Sequence, residues 1–186
     1  MKNKINENRP LAFVVLAVVV LLSIVLSGGG GLHSERSGAM NSFRFGVNND
    51  GLCIYNDLKA RADCAYNLVD LCARYDEIPQ EIAQKAEQAA DDLCAAGEDD
   101  VDALNLANNL LTRAVEALYT EIENASFTET DATFALSQYK EFTSRALTIS
   151  RDGYNSQAEE FNRILEGFPA SLVAKLSGVN KLSLFR

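Results

Sequence analysis

The residues best equipped for chemistry are four cysteines (Cys53, Cys64, Cys72, Cys94), a single histidine (His33) and a run of acids (Glu98, Asp99, Asp100, Asp102). A structural zinc site takes four thiolate or imidazole ligands, commonly in close pairs of the C-x-x-C kind. No two cysteines here are so spaced, and His33 lies far upstream of all four. Its isolation also removes Ser–His and Cys–His nucleophile pairs, which need an imidazole within hydrogen-bond reach. A di-iron helical site needs Glu-x-x-His on two helices, and no histidine follows His33. The acids come nearest to a calcium loop when counted from Asp92 to Gly97, but two positions that should supply oxygen hold Cys94 and Ala96. They suit the start of a helix instead, where the backbone dipole favours negative charge. Glu121 and Glu123 are two apart, so they point to different helix faces and do not pair as acid and base. Gly28–Gly31 has neither the Lys-Ser/Thr nor the preceding strand of a phosphate loop. The expectation is a non-enzymatic protein: catalytic residues none, cofactor-binding residues none, metal ligands none.

The elements that carry these residues are helical. Apolar residues recur at alternating steps of three and four, the period of one helix face. Residues 52–75 carry Tyr55, Leu58, Ala62, Ala65, Val69 and Cys72; residues 79–96 carry Ile82, Ala86, Ala89, Leu93 and Ala96. Residues 100–123 carry Leu104, Ala107, Leu111, Ala114, Leu118 and Ile122. A long fourth helix is predicted over 132–167, with Leu136, Leu147, Tyr154, Ala158, Phe161, Leu165 and Phe168 on one face and Gly153 inside it. Capping residues precede it, Thr128-x-x-Asp131 among them. If the first two helices turn back near Ile78, Cys64 and Cys94 stand at similar heights, and they are the pair a disulfide would use in an oxidising space. The favoured role for all four cysteines is that of small core residues.

Leu11–Ser27 is apolar and uncharged, and the uncharged run continues through Gly28–Gly31 to Leu32. A helix over 11–32 is about 33 Å long at about 1.5 Å per residue, enough to cross a hydrocarbon core of about 30 Å. A retained transmembrane anchor is the preferred reading, with a cleaved signal peptide as the rival. Gly28–Gly31 reads as the helix end and a hinge. Residues 33–51 read as a flexible linker whose Phe43 and Phe45 touch the membrane interface. The chain carries a net charge of −9, yet both ends are basic. Residues 1–10 hold Lys2, Lys4 and Arg9 against Glu7, and residues 170–186 hold Lys175, Lys181 and Arg186 with no acid. An acidic body repels phosphate backbones, so nucleic acid is not an expected partner. The excess of positive charge before the anchor over Arg36 and Arg44 after it leans toward an inside amino terminus and an outside bundle. The basic, apolar tail at 170–186 either caps the open end of the bundle, the preferred reading, or lies at the membrane interface.

The most distinctive stretch is Tyr154–Pro169. Tyr154, Phe161 and Phe168 recur every seventh residue, Asn155 and Asn162 follow the first two, and Pro169 ends the helix. At the edge of such a seam, each asparagine either bonds across to a neighbouring helix, with Asn67, Asn105 and Asn108 as candidate partners, or faces solvent. These residues, continued to Val179, resemble the LemA family of membrane-anchored helical proteins, which shares the Tyr-Asn, aromatic-Asn, Phe-Pro, Leu-x-Ala and later Gly. Asn56–Tyr75 resembles the family's first bundle helix, through Arg61-Ala62-Asp63 and Asn67-Leu68-Val69. The chain departs from that pattern in having no Trp and in having Tyr66 where the family usually has proline. The resemblance implies a fold and a membrane location and no agreed molecular activity.

The expected architecture is all-α. A basic segment (1–10), a transmembrane helix (11–32) and a linker (33–51) lead into an antiparallel, up-and-down four-helix bundle (52–169) and a basic apolar tail (170–186). The expected function is that of a membrane-anchored, non-catalytic scaffold. Its partners are membrane lipid, through the amino-terminal helix, and an unidentified protein. The alternative is membrane remodelling or envelope maintenance through lipid contact.

Overall fold

The computed structural model describes residues 9–186. The expected basic segment at 1–10 lies, apart from its last two positions, outside them. Among the described residues the regular structure is all helical, with no strand. The α-helices are α1 (Arg9–Phe45), α2 (Ile54–Cys72), α3 (Gln80–Ala95), α4 (Val101–Asn124), α5 (Glu129–Ser150), α6 (Tyr154–Glu166) and α7 (Ala170–Ser177), with a 3-10 turn at Val47–Asn49. The chain divides into two units. One is Met40–Asn155 with Ser183–Arg186; the other is the residues up to Ala39 with Ser156–Leu182.

In the larger unit α2 packs on α3 and α5, and α3 packs on α4. The reason lies in the stripes. Leu58, Ala62, Ala65, Leu68 and Cys72 of α2 are buried, as are Ala86, Ala89 and Leu93 of α3 and Leu104, Leu111, Val115 and Leu118 of α4. Removing each large aliphatic side chain from water contributes about 1.5–3 kcal/mol. The alanines of α3 let its neighbours approach closely. Two caps fix helix starts. Asp100 Oδ1 accepts the Ala103 N–H at 3.0 Å, and Thr128 Oγ1 accepts the Asp131 N–H at 3.2 Å. Each cap stabilises its helix by about 1 kcal/mol.

The long fourth helix is two helices. The chain breaks at Arg151–Gly153, and Asp152 Oδ1 accepts the Tyr154 N–H at 2.7 Å to start α6. This break explains a second difference. Leu136 and Leu147 are exposed, while Ala135, Phe142 and Ile149, seven apart, form the buried stripe of α5. The expected stripe carried the register of Tyr154 back through residues that are not helical. A three-residue interruption resets the phase, and the buried face falls elsewhere.

The first helix also differs from expectation. It neither ends at Gly28–Gly31 nor gives way to a linker at residue 33, but runs unbroken to Phe45. Within the smaller unit, a Cβ on Gly28 would stand 3.2 Å from Val173 Cγ1, and one on Gly29 would stand 2.7 Å from Ser177 Cβ. These glycines allow α7 to lie against α1. Such packing offsets the helix cost of glycine, about 1 kcal/mol per residue. In the larger unit the last turns of α1 are held by Met40 and Phe43, both buried. The Phe43 ring meets Tyr154 edge-on at 4.9 Å and Phe185 at 6.0 Å, so Phe43 is a core residue and not a membrane contact. Phe45 is half exposed, with the Arg44 guanidinium 5.2 Å from its ring. Gly46 stops the helix with φ +80, where a Cβ would lie 2.7 Å from the Leu52 carbonyl oxygen. At the other end of the chain, α6 finishes at Glu166, which leaves Phe168 86 % exposed instead of in the seam. Beyond α7, Gly178 takes the left-handed conformation (φ +71), and residues 179–186 run without helix.

Candidate functional site

Among the described residues of the larger unit, three polar side chains are buried: Asp57, Arg61 and Asn108. Asp57 and Arg61 are one turn apart on α2, which places both on the buried face. They do not pair with each other. Asp57 accepts from Arg145 of α5 at 2.9 Å. Arg61 donates to Asn108 Oδ1 and, at 2.8 Å, to Thr112 Oγ1, both on α4. The Thr112 hydroxyl gives its own proton to the Asn108 carbonyl at 2.8 Å, which turns its lone pairs toward Arg61. The Arg61 guanidinium carbon lies 4.0 Å from the centre of the Phe142 ring, a cation–π contact with α5. One arginine therefore ties α2 to both α4 and α5.

The electrostatics follow from burial. Removal from water lowers the Arg61 pKa to about 10, with Glu116 opposing the shift. The group stays charged at neutral pH. Its Nε is buried without a partner. Bonding to Asp57 and Glu141 raises the pKa of Arg145, so it too stays charged. Asp152 is pushed up, chiefly by burial. A cleft of about 330 Å³ opens beside this layer, lined in part by Arg61, Asn108, Asn109, Asn155, Phe185 and Arg186. None of the residues lining it is an acid or a histidine. Two arginines and three asparagines can attract and hydrogen-bond an anionic group, but they supply no base for a nucleophile.

The two asparagines of α6 act differently. In the larger unit Asn155 Nδ2 donates to the Phe185 carbonyl at 2.6 Å, and its Oδ1 accepts the Phe185 N–H at 2.8 Å. In the smaller unit Asn162 makes the same pair of bonds with Leu182, both at 2.8 Å. A carboxamide has one donor side and one acceptor side, which matches the N–H and C=O of a single extended residue. Tyr154 adds a third hold, donating its hydroxyl proton to the Ser183 carbonyl at 2.7 Å.

The other expected residues are dispersed. Of the candidate asparagine partners, Asn67 donates to Gln138 at 2.9 Å, Asn108 accepts from Arg61, and Asn105 Oδ1 is buried without a partner. His33 Nε2 lies 3.3 Å from the Ser177 carbonyl oxygen. Cys53, Cys64 and Cys72 are buried free thiols, and Cys94 is an exposed one. Burial raises the Cys72 pKa to about 11 and pushes Cys53 and Cys64 up as well. Cys94 lies 3.9 Å from the Tyr66 hydroxyl, and neither Cys94 nor Cys64 is in a disulfide. Asp100 is a helix cap, while Glu98 and Asp99 pair with Arg44 at 3.5 and 3.0 Å. Among the described residues no group of three or more His, Cys, Asp or Glu is placed to hold a metal ion. The buried roles of Asp57 and Arg61, and the half-exposed partner Arg145, carry no motif in the sequence. The available signal was a charged residue, Arg61, set inside the apolar stripe between Leu58 and Ala62.

The model of the LemA family matches residues 53–186. No curated protein and no solved structure matches.

Proposed function

The chain belongs to the LemA family, and on that premise we propose that it is a membrane-anchored, non-catalytic scaffold that binds a protein partner. The observation that carries the anchor is a helix long and apolar enough to cross a membrane, whose large apolar residues from Leu11 to Leu26 are exposed within their own unit. An uncovered run of that length is stable in lipid and not in water. We further read α2–α5 as an antiparallel four-helix bundle. The pairing of α2 with α3 and α5, and of α3 with α4, supports this, as do the short connections, which turn successive helices back on each other. The charge bias around the anchor supports a bundle outside the cytoplasm. The buried polar groups are spent on helix-to-helix bonds, which favours scaffold over catalyst.

The partner reading is supported by a groove of about 550 Å³ between α3 and α4, floored by Ile82, Ala89, Leu110, Ala114 and Ala117 and rimmed by Lys85, Asp92 and Arg113. Small residues in the floor suit an amphipathic helix of a partner. A photoreactive side chain at Leu110, in the full chain in its native membrane, is expected to give one discrete adduct that Ala114→Glu abolishes. The same group at Leu147, exposed on α5, serves as the control. Equal labelling from both positions, or none from Leu110, defeats the scaffold reading. The second reading, membrane remodelling, draws support from the exposed Phe168, Leu172 and Leu176 beside Lys175. It predicts vesicle deformation by the full chain that weakens with salt.

A further inference from the structure

The smaller unit joins two features whose combination has a consequence for lipid. The first is the exposed apolar face of α1 from Leu11 to Leu26. The second is α7, which lies against α1 where that face ends. Val173 and Ala174 are buried, with Val173 at Gly28 and Ser177 at Gly29, and His33 Nε2 is 3.3 Å from the Ser177 carbonyl oxygen. The opposite face of α7 is uncovered. Leu172 is 48 % exposed and Leu176 is 62 % exposed, and Phe168, in the turn before α7, is 86 % exposed. In water such a ridge costs free energy with nothing in return.

Depth decides what covers it. From Leu11, a hydrocarbon core of about 30 Å is spanned in about 20 residues of helix. Its far boundary then falls within a turn of Gly28–Gly31, and the first charged residues beyond it are Glu35 and Arg36. The helix held at Gly28, Gly29 and His33 therefore lies at the headgroup boundary. Its charge suits that place. Lys175 is exposed on α7, and α7 carries no acid. An amphipathic helix with leucines on one side and lysine at its edge is the pattern that settles between acyl chains and phosphates.

We propose that α7 is an interfacial helix: seated through Val173 and Ser177 on Gly28 and Gly29, it presses Phe168, Leu172 and Leu176 into the headgroup–acyl boundary of the bilayer that α1 crosses. This rests on the reading of α1 as a membrane anchor. The consequence is that the depth of the protein in the membrane is set by a glycine-mediated helix contact and not by the length of the apolar run alone.

The chain has no tryptophan, so a single introduced indole reports its own surroundings. Leu16→Trp, Leu176→Trp and Leu147→Trp are made in the full chain, all at exposed positions. They are reconstituted in vesicles of phosphatidylcholine and phosphatidylglycerol carrying bromine at defined depths on the acyl chains. Leu16→Trp should lose most of its emission to bromines deep in the bilayer. Leu176→Trp should lose most of its emission to bromines near the headgroup, and Leu147→Trp should keep its emission. Leu172→Trp repeats the test should Leu176→Trp perturb the helix. A quenched Leu16→Trp beside unquenched reporters on α7 overturns the proposal and leaves the anchor standing. An unquenched Leu16→Trp overturns the anchor and the proposal together. Equal quenching of Leu147→Trp and Leu176→Trp shows indiscriminate adsorption and also overturns it. Gly29→Leu in the Leu176→Trp background should more than halve the shallow quenching, because even a Cβ there meets Ser177 at 2.7 Å. Unchanged quenching in that variant overturns the part played by the glycine seat.

Discussion

The polar layer around Arg61 and the asparagines of α6 solve the same problem in opposite ways. Both place polar groups in partly buried surroundings, where an unmade hydrogen bond is expensive. In the layer, side chain meets side chain: Asp57 with Arg145, and Arg61 with Asn108 and Thr112. At the asparagines, side chain meets main chain: Asn155 with Phe185, and Asn162 with Leu182. The difference sets what each region tolerates. Both partners of a side-chain pair can be exchanged, and a buried ion can often be replaced by an apolar group of its own volume at little cost. A main-chain partner cannot be exchanged, so the whole demand falls on the asparagine. The Tyr-Asn and Phe-Asn repeat of this chain is thereby explained: the ring is buried, and the amide beside it reads the backbone of an extended segment without regard to that segment's side chains.

The sharpest way to break this comparison is Asn162→Leu. Leucine takes away both bonds and strands the N–H and C=O of Leu182, whose residue is buried. At about 1–3 kcal/mol for each orphaned group, the segment should loosen by about 3 kcal/mol. Hydrogen exchange at the Leu182 amide should then quicken by about two orders of magnitude. Asn162→Asp is the finer cut. The carboxylate still accepts the Leu182 N–H but opposes the Leu182 carbonyl. A protonated aspartate donates again, so protection should return as pH falls below about 4. Protection that survives Asn162→Leu at every pH would show that the clamp is incidental.

A smaller effect is expected in the polar layer. Burial, against the opposing charge of Glu116, lowers the Arg61 pKa to about 10, so the buried charge weighs against folding. The sign follows: a base with a lowered folded pKa burdens the fold below that pKa and is relieved as pH rises through and above it. Arg61→Met keeps most of the packing on Phe142 and sheds the charge, leaving Asn108 to water in the cleft. Its chemical-denaturation stability should lie within about 1 kcal/mol of the native chain. Arg61→Ala also opens a cavity and should lose about 2–3 kcal/mol. If methionine costs as much as alanine, the charge itself organises the three helices, and the contrast with the asparagines narrows.

The two regions also differ in how far they could be read in advance. The helical segments, their stripes in α2–α4 and the apolar first helix follow from periodicity, because every turn of a helix repeats the same demand for an apolar face. Periodicity fails at a phase reset. The break at Arg151–Gly153 shifted the α5 stripe from Leu136 and Leu147 to Ala135, Phe142 and Ile149. It fails again where glycine is used for contact and not for a break, as at Gly28 and Gly29. Arg61 was visible as a charge inside an apolar stripe, since a buried side chain leaves its type in the sequence. The partners of Asn155 and Asn162 were invisible, because every residue carries the backbone groups they bind. The spacing of seven marked the asparagines and could not mark what they hold.

The smallest expected effect tests whether side-chain pairs in the larger unit are as exchangeable as the comparison holds. Asp131 follows the Thr128 cap and accepts the Tyr75 hydroxyl proton as well as a bond from Arg74 at 3.2 Å. The Tyr75 bond, first, and then the Thr128 and Arg74 contacts hold its carboxyl below the ordinary range, against the opposing effect of burial. A carboxyl lowered in the folded state contributes stability that is present above its unfolded pKa of about 3.9 and lost as pH falls through the folded value. Tyr75→Phe removes the largest cause while keeping the ring, which stacks on Phe127 at 4.0 Å. The Asp131 carboxyl should then titrate at higher pH, as followed by its carbon-13 shift, and the acid limb of unfolding should move upward with it. Arg74 and the Thr128 cap stay in place to hold α5, so the unfolding transition at neutral pH should barely move. A large loss at neutral pH would mean that Tyr75 positions Asp131 as rigidly as Asn162 positions Leu182, and that side-chain pairs in this fold are no more replaceable than its main-chain clamps.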